Sequence, residues 1–193
     1  REEAGEDRLL TGLAYACLRR AYWNPPLRAY AEEVGTVLVT TGGGDPGGRA
    51  AALASAAMAA FPGATVRVVR GPYASGTLPP GTEVVEGRAG LADELSSADV
   101  VLTAAGQTML EALATAAPTV AVPLADNQRR GAEALARAGG VLLAEPDEAQ
   151  VRAALGELAG VRRRRELGGR GRELVDGRGA LRVAERIAAL IAG

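Results

Sequence analysis

Residues 98–128 read ADVVLTAAGQTMLEALATAAPTVAVPLADNQ, and this stretch decides the fold. Two short apolar runs, Val100–Ala104 and Thr119–Val122, have the length and β-branched content of buried strands in a parallel sheet. Between them the spacing is helical. Met109, Leu110 and Leu113 fall on one side, and Gln107, Thr108 and Glu111 fall together on another. The first strand therefore ends at Ala105-Gly106 and a helix begins at once, so its first turn offers unpaired backbone N–H donors and polar side chains. Glu111 lies one turn deeper, where a carboxylate can accept hydrogen bonds from two neighbouring hydroxyls. An anion at the helix tip and a diol one turn inward give the outline of a nucleotide.

The same alternation extends in both directions. Upstream, Gly35–Thr41 is a buried strand that runs into Gly42-Gly43-Gly44-Asp45-Pro46-Gly47-Gly48. Asp45 is placed to cap the following helix, expected over 48–60, with Pro46 at its first position. Strands are expected at Ala64–Val69 and Thr82–Val85, and the loop Gly87-Arg88-Ala89-Gly90 leads to a helix over Leu91–Ser97. Downstream, Asp126-Asn127-Gln128 caps a helix ending near Gly139-Gly140. A last strand is expected at Val141–Ala144, then helices at Asp147–Leu158, Arg162–Val175 and Ala180–Ala192. This order predicts an α/β fold, a Rossmann-like doubly wound parallel sheet of about six strands with helices on both faces. Ligands in such sheets lie beyond the carboxyl ends of the strands. The loops at Gly42–Gly44, Gly87–Gly90, Gly106–Thr108 and Asp126–Gln128 all fall on that edge.

Residues 1–34 do not read as sheet. Leu9–Tyr22 has helical or irregular apolar spacing, Asn24-Pro25-Pro26 breaks it, and Leu27–Val34 has room for a further helical turn or two. The segment is expected either to pack on the domain as an N-terminal helix or to act as an interdomain hinge with Tyr15, Tyr22 and Trp23 facing the cleft. Residues 35–193 form the main domain. The opening REEAGEDR is charged and contains no apolar core of a signal peptide, and it reads as a cut through a longer gene.

Composition narrows the chemistry. Hydrophobic residues are 48% and aromatics only 3%, so the core is built from Ala, Val and Leu. A formal charge of −1 gives no general field toward nucleic acid or a membrane surface. No run approaches the length of a membrane span. Histidine is absent, which removes the commonest general base and metal ligand. The single cysteine, Cys17, excludes an internal disulfide and fits a reducing cytoplasm; it is expected to be a packed small apolar residue. Arg162–Arg165 is expected to be a solvated helix face paired with Glu157 and Glu166. Gly42, Gly44 and Gly47 meet the G-x-G-x-x-G spacing, but no acid follows at the ribose position, because the second strand ends Val69-Arg70-Gly71. An NADP variant would use Arg70; a tight packing turn, or a loop whose backbone approaches a ligand, are the other readings.

Taken together, VLVTTGGGDPGG, the 98–128 stretch and ALARAGG resemble the C-terminal half of GT-B-fold nucleotide-sugar enzymes. The nearest resemblance is to the UDP-sugar hydrolase of pseudaminic acid biosynthesis and its spore-coat-polysaccharide relatives; the lipid-linked cell-wall N-acetylglucosaminyltransferase is a more distant match. Leu9-Leu10-Thr11-Gly12 with Tyr15–Arg19 is similar to that family's hinge. The resemblance implies that Glu111 binds the ribose hydroxyls of UDP, and that Gly106, Gln107 and Thr108 present the helix start to the diphosphate. Gly43 and Gly44 would lie against the sugar-phosphate, the backbone around Glu86–Ala89, including Arg88, would frame the uracil, and Asn127 with Gln128 would reach the sugar. Gly44 and Gln107 depart from the family's serines, which puts the substrate in question. The family's catalytic histidine lies in an N-terminal domain. This chain is therefore expected to hold no catalytic residue and to be inactive alone, with a missing domain or partner chain completing a hydrolase or a glycosyltransferase. A non-catalytic donor-binding subunit is a further alternative, with an apolar patch at Leu9–Trp23 and the final helix. The implied ligand is a UDP-sugar, with no other cofactor and no metal.

Overall fold

The structure, a computed structural model, describes residues 9–45, 47–74, 76–86 and 90–192. Its strands are β1 (Thr36–Thr40), β2 (Thr65–Arg70), β3 (Glu83–Glu86), β4 (Val100–Ala104), β5 (Thr119–Val122) and β6 (Leu142–Leu143). The helices are α1 (Arg49–Ala60), α2 (Ala92–Ser97), α3 (Gln107–Ala114), α4 (Asp126–Arg137), α5 (Glu148–Glu157), α6 (Val161–Leu174) and α7 (Gly179–Ala192). Among the described residues the sheet has six strands in the order β3-β2-β1-β4-β5-β6, and every pairing is parallel.

Strand alternation explains the layers. Leu38, Val69, Val101 and Ala121 point to one face and pack with Leu95, Met109, Leu113 and Leu135. Val37, Val39, Val68, Leu102 and Val120 point to the other, against Leu53, Ala57, Val151 and Leu155. With both faces covered, β1, β4 and β5 bury nearly every residue, as their continuous apolar runs require. The chain moves outward from β1 to β3, then returns to place β4 on the other side of β1. Reversal between β1 and β4 opens a crevice at their carboxyl ends, and this positions the site.

The segment before β1 departs from expectation. It contains two short 3-10 turns, Leu13–Tyr15 and Arg20–Tyr22, and no helix forms over 27–34. Side chains organise it as a strap across the domain. Arg28 donates from Nε to the Thr115 carbonyl at 3.0 Å, from Nη1 to Ala98 at 2.6 Å and from Nη2 to Leu95. Tyr30 donates to the Ala116 carbonyl at 3.0 Å. Backbone that reaches for distant partners in this way gains nothing from a local helix, and Leu27 is left 93% exposed.

Two more expectations are corrected. Arg162 and Arg163 do pair with Glu166 and Glu157, but Arg164 is only 1% exposed. Its guanidinium donates to the carbonyls of Leu158 (2.7 Å), Ala159 (2.6 Å), Ala31 (2.6 Å) and Glu32 (3.1 Å), tying α6 to the end of α5 and to the strap. Cys17 is exposed rather than packed; its backbone carbonyl accepts from the Gln107 side chain of α3 at 3.3 Å. On α7, Ile187, Leu190 and Ile191 form an exposed apolar stripe. No helix among the described residues is long and apolar enough to cross a membrane.

Candidate functional site

A cleft of about 830 Å³ lies at the carboxyl edge of the sheet. One wall is the end of β1, with Thr40, Gly42 and Gly43. The opposite wall is the first turn of α3, with Gln107, Thr108 and Glu111. Arg70, Gly71 and Pro72 after β2, and Glu86 with Gly90 and Leu91 around the start of α2, close the far side. Arg19 and Tyr22 from the strap complete it.

Each wall follows from local sequence. Gly106 precedes α3 in extended backbone and no side chain caps the helix; the Met109 N–H is taken by the Gly106 carbonyl at 3.1 Å, which leaves those of Gln107 and Thr108 for the cleft. The other helix that starts beside the glycine loop is different. Asp45 accepts the Ala50 N–H at 2.9 Å through Oδ1, so α1 is capped from within the chain, and neither Gly47 nor Gly48 lines the cleft. The glycine loop is held by close approach. A Cβ on Gly71 would lie 2.5 Å from the Gly42 carbonyl oxygen and 2.6 Å from that of Gly43, contacts no side chain tolerates.

Glu111 is half-buried on the helix face toward the cleft. Burial pushes its carboxyl above the ordinary carboxylate range, while the Tyr22 hydroxyl and the Arg19 guanidinium pull it back down. Tyr22 is buried in the core cluster that holds Leu18 and Leu91, and it lines the cleft with Glu111. Burial, then the Glu111 charge, push this phenol up to about 12. The cleft thus gathers the N–H groups at the start of α3, the arginines Arg19 and Arg70, and the Glu111 carboxylate one helical turn along, donors for phosphates and an acceptor for hydroxyls.

Of the residues singled out from sequence, Gly43, Gln107, Thr108 and Glu111 meet in this cleft. Gly106 sits directly behind the α3 turn. Gly44 does not line it; it forms an isolated bridge with Tyr73, which turns it away. Asn127 is exposed on the first turn of α4 and lies outside the cleft. Gln128 is committed to structure, its Oε1 accepting the Leu124 N–H at 2.9 Å; its Nε2 approaches Gly106, within 3.8 Å of where a Cβ would stand. Arg88, with the rest of 87–89 and Pro46, lies outside the described residues. Of the strap aromatics expected to face the cleft, Tyr22 does so. Trp23 instead donates to the Leu18 carbonyl at 2.9 Å, and Tyr15 lies against the start of α7.

Sequence reading missed Arg19, Leu91 and Pro72 as lining residues. Arg19 carried a signal in the tyrosine-to-arginine run of the strap. The other two are recognisable only once β2 and β3 are paired. No set of three or more histidine, cysteine, aspartate or glutamate side chains is gathered for a metal among the described residues.

No family model matches the chain, and no curated protein matches it by sequence. Solved structures match well. The glycotransferase of kitacinnamycin is 25% identical with a TM-score of 0.59, over 88% of this chain and 48% of that one. Spinosyn forosaminyltransferase is 19% identical with a TM-score of 0.61, over 91% and 47%. Spinosyn rhamnosyltransferase complexed with thymidine diphosphate is 18% identical with a TM-score of 0.58, over 81% and 46%. The chain spans about half the length of the solved structures it matches, and it has the α/β Rossmann-like fold of one half of a GT-B glycosyltransferase.

Proposed function

We propose that this chain is the nucleotide-sugar-binding half of a GT-B enzyme, and that the whole enzyme is a glycosyltransferase. The observation that carries the reading is the juxtaposition of the uncapped α3 terminus with the Glu111 carboxylate in one cleft. The diphosphate lies at the N–H groups of Gln107 and Thr108, with Gly43 opposite. Glu111 accepts hydrogen bonds from the sugar hydroxyls of the nucleoside. Support for a nucleoside diphosphate also comes from the similar fold solved with thymidine diphosphate.

In this reading the acceptor hydroxyl attacks the anomeric carbon of the donor and loses its proton to a base supplied outside this chain's described residues. The bond from sugar to diphosphate breaks, and the nucleoside diphosphate leaves with the electron pair. Helix N–H donors and Arg19 stabilise the charge that builds on the leaving group. The matched glycosyltransferases favour an acceptor hydroxyl over water, and so a transferase over the hydrolase that the sequence motifs resemble. The other half, on the same or a partner chain, provides the acceptor site, and the exposed α7 stripe gives it an apolar face to meet. No cofactor beyond the donor is called for.

The NADP alternative loses ground, because α1, the helix a dinucleotide would use, is capped by Asp45 and set apart from the cleft. A thermal-shift comparison tests the proposal. UDP or thymidine diphosphate at about 100 times its dissociation constant should stabilise the chain by roughly 2.7 kcal/mol. Stabilisation by NADPH alone would overturn the reading.

A further inference from the structure

Thr40, the last residue of β1, lies on the floor of the cleft and is only 1% exposed. Side chains alternate along a strand, so Thr40 shares a sheet face with Leu38, the face that packs with α3. Its neighbours in the sheet are Thr103 of β4 and Val69 of β2, and Val69 also lines the cleft. Because β4 runs on through Gly106 into α3, Thr40 stands between the Gly42–Gly43 loop and the start of that helix.

Its hydroxyl is only half used. Oγ1 accepts the Gly42 N–H at 3.2 Å, but among the described residues no acceptor takes its proton. Thr103, Thr115 and Thr119 are buried to a similar depth, and each donates to a backbone carbonyl, at 2.9, 2.9 and 2.8 Å. A buried hydroxyl with an unspent donor on the floor of a cleft needs an acceptor that enters the cleft. We propose that Thr40 is a further ligand-binding residue, its hydroxyl donating to a phosphate oxygen of the diphosphate while the same oxygen atom holds the glycine loop. The inference rests on the reading of the cleft as a nucleoside diphosphate site. A diphosphate presents acceptors alone, which matches a group with a proton to give. The Gly42 N–H is already spent on Thr40, so at this point of the floor the donor is the hydroxyl rather than the first amide of the loop.

The test compares the wild type with Thr40→Val, which keeps the shape and the strand preference, and Thr40→Ser, which keeps the hydroxyl. Binding of uridine, UDP, thymidine diphosphate and inorganic pyrophosphate is measured by calorimetry. Thr40→Val should weaken the three phosphate ligands by about 10-fold or more, the value of a hydrogen bond to a charged group, and leave uridine within about 2-fold. Thr40→Ser should stay near the wild type for all four. A crystal structure of the wild type with UDP separates donation to the ligand from support of the loop: Thr40 Oγ1 should lie within about 3 Å of a phosphate oxygen. Equal losses on uridine and UDP, a serine variant as weak as the valine variant, or an Oγ1 out of reach of every phosphate oxygen overturns the assignment. If the wild type binds pyrophosphate in a Thr40-dependent way but neither nucleotide more tightly, the nucleoside reading fails and the role of the hydroxyl stands. Binding of neither pyrophosphate nor a nucleotide sinks both.

Discussion

Arg164→Met is the most demanding test of how the strap is held. The side chain is 1% exposed and carries its charge into the fold, where its guanidinium donates to four backbone carbonyls. Methionine keeps much of the apolar length and removes every donor. The Leu158 carbonyl, bonded at a fully buried position, loses its partner without access to water; those of Ala159, Ala31 and Glu32 lie at part-buried positions where water can substitute. Leaving a buried acceptor unsatisfied costs about 1–3 kcal/mol. Loss of the charged bonds to the remaining three adds to this, and relief from burying a cation subtracts. No unpaired charge is left behind, so the net expectation stays at about 1–3 kcal/mol. Urea denaturation should show a lower midpoint with an unchanged slope, and the strap should become sensitive to protease near Ala31 and Glu32. A midpoint shifted by less than about 0.5 kcal/mol, the size of a surface substitution, would refute the assignment of Arg164 as the fastening of the strap.

Other expectations follow from the site and its supports. Glu111→Gln should weaken nucleoside diphosphate binding by about 10- to 100-fold, the value of charge-assisted hydrogen bonds of 1.5–3 kcal/mol, as read by calorimetry. The same substitution should leave stability equal or higher, because burial raises the folded-state pKa of Glu111. Between the unfolded value and this raised folded one, the native state binds more protons than the unfolded chain, so wild-type stability falls as pH rises through that interval and the glutamine variant should lack this slope. Asp176 has the opposite sign. Its bond with Arg182 holds it at about 2, below the ordinary 3.8, so its contribution is present above the unfolded value and is lost as pH falls toward 2. With the pair well exposed that contribution is under about 1 kcal/mol, and Asp176→Asn should flatten the acid limb of a denaturation series by no more than this. Gly71→Ala should push the Gly42–Gly43 loop out of place and lower both thermal stability and nucleotide affinity; a variant equal to wild type in both would show that the loop yields freely.

What could be seen in the sequence was the part decided locally. Strand positions came within a residue or two because β-branched apolar runs between glycine turns have few alternatives, and β4 and β5 matched their expected limits. The cleft's core, Gly43, Gln107, Thr108 and Glu111, was also legible, because a strand that breaks at glycine into a helix determines where N–H groups point. The strap was not. Its conformation is set by Arg28, Tyr30 and Arg164, whose bonds join the strap to groups 67 to 133 residues away, and no periodicity encodes such partners. Arg164 looked like its neighbours in a charged run, and only the packing of α6 against residues 31 and 32 makes it different. Gln128 fitted both a capping and a ligand role, and its bond to Leu124 shows that the first consumes its carbonyl.

The central claim is tested most directly by a crystal structure of the chain with a bound nucleoside diphosphate. The account predicts phosphate oxygens within hydrogen-bonding distance of the Gln107 and Thr108 N–H groups, and a nucleoside sugar hydroxyl on the Glu111 carboxylate. A nucleotide seated instead at the start of α1, or with its sugar turned toward Arg70 and Glu111 untouched, would contradict it.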